Sequence, residues 1–200
     1  GLAELRQVNL GVALPTTFGG IGITASSFGY SALRESRLSI SYGRSLANNL
    51  RIGGEIIGLN TGIEGYDSRF NATFALGLQI DLLPELSVGF RAYSPIRIET
   101  VEDEFLPQLF TLGFSYQPNK KLLLLAEVQQ DRDVTTRVNA GLEYLMTEQF
   151  NLRFGISTGP AEMSFGFGYK VNELIHIQVA ARYHETLGVT PGVGLVYEGK

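Results

Sequence analysis

The 200-residue chain is 44% hydrophobic but only 18% charged, has 24 glycines and no cysteine, and carries a formal net charge of −4. Without cysteine there is no disulfide framework and no thiolate metal site, and the acidic balance argues against a nucleic-acid partner, which would need a basic face. No apolar run approaches the ~20 residues of a membrane-spanning helix; the densest, Leu122 to Ala126, ends at Glu127.

Taken in chain order, the hydrophobic period is two nearly throughout, which predicts strands rather than helices. Thirteen are expected, over 6–14, 19–27, 37–45, 50–59, 69–81, 86–94, 108–117, 122–130, 136–145, 150–158, 163–170, 174–183 and 191–198. From Phe70 to Asp81 the even positions are mostly bulky and apolar, against Asn71, Thr73, Gln79 and Asp81. Phe150, Leu152, Phe154 and Ile156 likewise oppose Asn151, Arg153, Gly155 and Ser157. Strands of nine to eleven residues suit a tilted membrane crossing.

The connections alternate in kind. Short polar turns followed by Leu or Phe recur at Ala47-Asn48-Asn49-Leu50, Pro84-Glu85-Leu86, Asn119-Lys120-Lys121-Leu122, Thr147-Glu148-Gln149-Phe150 and Asn172-Glu173-Leu174. The intervening set is generally longer and more charged: 29–36, 60–68, 95–107, 131–135 and 184–191, with 159–162 as a short member. Outer-membrane barrels have short periplasmic turns and longer outer loops.

Five tyrosines close apolar-alternating runs at the short-turn end: Tyr42, Tyr116, Tyr144, Tyr169 and Tyr197. Tyrosine favours the membrane–water boundary, ring in hydrocarbon and hydroxyl among head groups. They are expected to form a periplasmic aromatic girdle. The reading is an all-β, antiparallel transmembrane barrel in a bacterial outer membrane, a single domain over residues 1–200. A soluble sandwich or lipocalin-like barrel also alternates. Against that stands the outer placement of Tyr and Phe beside the aliphatics, opposite a face of Gly, Ser and charge.

The inward set predicts a lumen lined by Arg91, Glu127, Arg137, Glu143, Arg153, Lys170, His176 and Arg182. Glu143 and Arg153, and likewise Glu127 and Arg137, are expected opposite or diagonal across their hairpins. Paired charges brace a barrel or line a selective path. Of the two histidines, His176 falls on a polar strand face and His184 begins a loop. Ser164 is placed nearer Arg182 than His176, and no Gly-x-Ser-x-Gly is present, so no catalytic site is expected. The Gly-rich runs precede no helix and predict no phosphate cradle. The acidic run Glu102-Asp103-Glu104 reads as solvated loop charge rather than a calcium site. No cofactor is expected.

Gly1-Leu2-Ala3-Glu4-Leu5, the stretch Ser26 to Leu46, Phe114 to Asp131 and Leu142 to Val171 resemble PorV/PorQ-type outer-membrane proteins of the Bacteroidota, within the superfamily of FadL-like long-chain fatty-acid transporters. The resemblance implies a fourteen-stranded barrel, so one strand is expected to precede Gly1, in a processed or trimmed chain. It also implies a protein-binding role in type IX secretion or surface attachment. The alternative is a FadL-like channel for small hydrophobic solutes. Exposed apolar clusters mark interaction sites, so Phe28, Tyr30 and Leu33, with Phe105 and Leu106, are candidate loop residues for a protein partner. The bilayer is the other expected partner, with a hydrophobic solute as a third.

Overall fold

The computed structural model describes residues 6–30, 32–65, 68–101, 104–132 and 134–199. Its strands are β1 (Arg6–Thr16), β2 (Gly19–Gly29), β3 (Leu33–Ala47), β4 (Leu50–Ile63), β5 (Arg69–Leu83), β6 (Leu86–Tyr93), β7 (Glu99–Val101), β8 (Glu104–Phe105), β9 (Leu109–Asn119), β10 (Leu122–Asp131), β11 (Arg137–Leu145), β12 (Phe150–Ser157), β13 (Glu162–Lys170), β14 (Ile175–His184) and β15 (Gly188–Tyr197). All but β7 and β8 join one antiparallel sheet of thirteen strands, each hydrogen-bonded to its neighbour in sequence. The small β7–β8 hairpin lies within the connection between β6 and β9.

The expected strands are all present, and several run further than the sequence pattern suggested. β3 starts at Leu33 and β4 continues to Ile63. The ladder pairs Leu33 with Ile63 and Arg34 with Gly62, so backbone hydrogen bonding extends past the last clean alternation. Two outer connections shrink accordingly: β2 and β3 are separated by residues 30–32, and β14 and β15 by 185–187.

The short turns share one device. The Asn119 Oδ1 accepts from the Lys121 and Leu122 amides at 2.9 and 3.1 Å. Asn172 Oδ1 does the same for Leu174 and Ile175 at 2.9 and 2.8 Å. Thr147 Oγ1 does so for Gln149 and Phe150 at 3.3 and 3.1 Å. A side chain that captures two amides of its own turn fixes the reversal without a glycine.

The sheet is inside-out relative to a soluble domain. Buried hydrophobic residues among those described amount to Ile57, Ala75, Ala92 and Tyr93, whereas Leu10, Ile56 and Phe70 are each more than 70% exposed. The molecule exposes 14299 Å²; a soluble monomer of 21.9 kDa would expose about 9,300 Å². The excess is that of a single-layered wall with two accessible faces, one apolar and one polar. That is a transmembrane β-barrel wall.

The sheet has a seam. β1 and β15 are its two end strands, with no ladder between them among the described residues. β1 is exposed along its whole length, and β15 almost so, whereas β9 alternates.

Candidate functional site

The strand pleat sends alternate residues to opposite faces, so the lumenal face follows from the ladders. On β3 to β6 it carries Arg37, Ser39 and Ser41, then Arg51, Gly53, Glu55 and Ile57, then Thr73, Ala75, Gly77, Gln79 and Asp81, then Ser87, Gly89, Arg91 and Tyr93. On β9 to β14 it carries Gly113, Glu127, Arg137, Asn139, Gly141, Glu143, Arg153, Gly155, Ser164, Gly166, Lys170, His176 and Arg182. All eight sequence-predicted lining residues lie on this face.

Its charges fall into two braced walls. On the β3–β6 wall, Glu55 sits between two arginines: Arg37 Nη2 donates to its Oε1 and Arg91 Nη2 to its Oε2, each at 3.0 Å. Both guanidiniums also lie over the Tyr93 ring, 5.4 and 5.5 Å from its centroid. Tyr93 is buried with Ile57 and Ala75, and Leu59 and Leu109 pack against them. Towards the short turns Arg51 holds Asp81 bidentately at 3.0 and 2.6 Å, and Ser87 donates to the same carboxylate. On the opposite wall Arg153 Nε donates to Glu143 across its hairpin at 2.5 Å, between directly paired residues.

Glu127 and Arg137 do stand diagonally across their hairpin, as expected, but make no ion pair with each other. The ladder sets Glu127 opposite Asn139 and Arg137 opposite Gln129, one inward position apart. Asn139 Nδ2 occupies Glu127 at 2.7 Å, and Arg137 turns the other way, past Ser157 to Glu162 at 2.8 Å. Glu162, Glu55 and Arg37 escaped the sequence reading because their partners lie two strands away or on both sides at once. A lone acid set between Gly53 and Ile57 on the inward file of β4, as Glu55 is, was the available signal. Ser164 pairs with Arg182 and not with His176, which stands opposite Lys170.

Glycines interrupt the lumenal face on both walls and on the strands between them. Gly20, Gly43, Gly53 and Gly77 are successive ladder partners across β2 to β5; Gly89 pairs with Gly113, and Gly141 with Gly155. A Cβ added at Gly77, Gly89 or Gly113 would meet nothing nearer than 3.8 Å. Close packing therefore does not require these glycines; they leave the space open. Two cavities of about 440 and 450 Å³ share Gln79, Gly89, Gly113 and Glu127 and form one trough along β4 to β11.

The tyrosines Tyr42, Tyr116, Tyr144 and Tyr197 stand exposed on the apolar face near the short turns. Tyr169 is half-buried against Phe150, ring centroids 4.6 Å apart. The Tyr42 hydroxyl donates to the Phe18 carbonyl at 2.6 Å, tying β3 to the neighbouring turn.

The proposed loop cluster changes shape. Phe28 and Leu33 belong to β2 and β3, because the ladder runs on to Gly29–Arg34, and Phe28 falls on the lumenal face. Tyr30 remains in the connection, its amide donating to the Leu33 carbonyl at 2.8 Å. Phe105 lies in β8 under the Arg97 guanidinium, 3.6 Å from the ring centroid, and Leu106 binds back to Ile98. Both are half-buried. Glu102 and Asp103 lie outside the described residues.

No family model and no curated protein matches the chain. Solved structures do. The toluene transporter TodX of Pseudomonas putida superposes with a TM-score of 0.73 at 11% identity, covering 94% of this chain and 79% of that one. The Ralstonia pickettii toluene transporter TbuX gives 0.70 at 11%, with the same coverage. The KdgM porin gives 0.55 at 11%, covering 98% of each chain. These are transporters and porins, not enzymes. They show the fold of an outer-membrane barrel, and nothing among them supports a PorV/PorQ identity, a Bacteroidota origin or a part in type IX secretion. By fold, this chain stands with the transmembrane barrels of hydrocarbon channels and porins.

Proposed function

We propose that this barrel is an outer-membrane channel for small apolar solutes. The observation that carries the reading is the glycine-floored trough on a lumenal face that is otherwise charged and hydrogen-bonded. Glycines there expose backbone, offer no fixed charge and demand no desolvation of a side chain when an apolar molecule passes. Ion pairs on the flanking strands hold the wall shape and neutralise Arg51 and Arg91 where they border the trough, and the Asn139 amide occupies the Glu127 carboxylate there. The structural likeness to toluene transporters supports the same class of solute. Protein docking at the outer loops gains no specific observation, since three of its five residues are in strands and one of these, Phe105, is capped by Arg97.

The test is uptake of toluene by whole cells producing the full-length protein, against Gly89→Leu and Gly113→Leu. Both side chains have room to stand in the lumen, so the barrel should fold and show the usual shift between unheated and boiled gel samples. Uptake should fall to the level of cells lacking the protein. Unchanged uptake in both variants would sink the proposal.

A further inference from the structure

The cations of the β12–β14 wall are unevenly neutralised. Arg153 is held by Glu143 through its Nε. Lys170 and Arg182 have no ion pair among the described residues, and His176 has only the Glu198 carboxylate at 4.0 Å. Lys170 and His176 are ladder partners on the lumenal face, so their Cβ atoms are about 5 Å apart. Beside them, at the short-turn mouth, lies a cavity of about 130 Å³, lined among others by Asn151, Arg153, Gly168, Lys170, His176 and Gln178. Two side-chain atoms of lining residues, Asn151 Oδ1 and His176 Nε2, are shut off from solvent without a hydrogen-bond partner. A protonated Nε2 would gain from a bound acceptor, whereas the Asn151 carbonyl oxygen, itself an acceptor, gains nothing from an oxyanion. An added Cβ at Gly168 would run into Asn151 Oδ1, so that side chain would have to move. The Asn151 side chain therefore lies over the glycine. Glu148 also lines the cavity but is exposed, so solvent screens its charge.

We propose that this cavity binds a small oxyanion, a phosphate or a carboxylate, between Lys170, Arg153 and His176. An ammonium, a guanidinium with donors to spare beyond its Nε, and an imidazole converge on a volume that suits one such group, with side-chain amides around it. Arg182, further up the same wall beside Ser164, extends the file of cations towards the outer end. The site is separate from the glycine trough and stands or falls independently of what the trough carries.

The chain holds two histidines, which makes the test direct. The full-length barrel, refolded in detergent with ¹³Cε1-labelled histidine, should give two ring signals, assigned by His184→Asn. His184 is the internal control, because its Nδ1 already accepts from the Thr186 and Leu187 amides at the far end of the strand. Titration with inorganic phosphate or with acetate should shift the His176 signal saturably and leave His184 in place; whichever saturates at lower concentration identifies the source. Lys170→Gln should weaken binding roughly tenfold, the factor expected for one charge-assisted hydrogen bond. The proposal is overturned if both signals move together, if neither moves, or if sodium chloride at equal ionic strength reproduces the shift. Unaltered affinity in a folded Lys170→Gln barrel overturns it as well. Should that variant not fold, the wild-type titration decides alone.

Discussion

Phe90 and Gly89 are neighbours on β6 with opposite surroundings. Phe90 is outward, 45% exposed and stacked near Phe110 at 6.5 Å; Gly89 floors the lumenal trough with open space above it. Phe90→Arg should cost roughly 2–4 kcal/mol, as a charge on the lipid face does. Gly89→Arg should cost clearly less, since its head group meets water. Urea titration of the barrel in lipid vesicles measures both, and equal losses would mean that the two faces are misassigned. Glu55 makes the sharpest demand among the charges. It sits under two guanidiniums whose side chains are 33% and 47% exposed while its own is 20% exposed. Glu55→Gln leaves two like charges facing one another over Tyr93. The expected loss is about 1–3 kcal/mol, below that of a fully buried pair because water reaches the arginines. Glu143→Gln, which alters a more exposed carboxylate with one arginine partner, should lose less in the same titration.

At the scale of the element, the turns explain why the hairpins were readable. Asn119, Thr147 and Asn172 each capture two amides of their own turn, and each is a residue type that marks turns for this reason. Asn119→Ala and Asn172→Ala should each destabilise the barrel by about 0.5–1.5 kcal/mol, the usual worth of such bonds; Asn119→Asp, which keeps the acceptor, should lose much less. Comparable losses for Ala and Asp would refute the turn mechanism. Alternation from Phe150 to Ser157 or from Arg137 to Tyr144 was enough to place strands, and strand direction then gave the Glu143–Arg153 pair. What alternation does not encode is length beyond the apolar belt. β3 and β4 continue past it because backbone pairing needs no hydrophobic pattern, and so Phe28 and Leu33 were misplaced in loops. The two- and three-residue strands β7 and β8 have too few residues to show any period. The glycine trough was visible only as separate glycines. Its continuity depends on cross-strand register, which a single strand does not specify.

For the molecule as a whole, the exposed apolar face and the polar, ion-paired interior require a lipid surround. Extraction from cell envelopes should need detergent, and unheated samples should migrate differently from boiled ones on a dodecyl sulfate gel. Solubility without detergent would exclude the membrane reading. The seam sets a further rule. Thirteen strands in strict alternation leave β1 and β15 pointing the same way, both from the outer end to the short-turn end. Copies inserted into one bilayer share one orientation, and rotation about the membrane normal reverses no strand. The two edges that border the seam therefore run in the same direction in every copy. Two of them cannot zip antiparallel, however crowded the membrane. Bare strand edges are ordinarily what make sheets stick together, and in lipid an unpaired edge is costlier still. Here direction alone denies antiparallel pairing between copies, leaving like edges only a parallel ladder, and makes a strand running the opposite way the antiparallel partner that fits both edges of the seam.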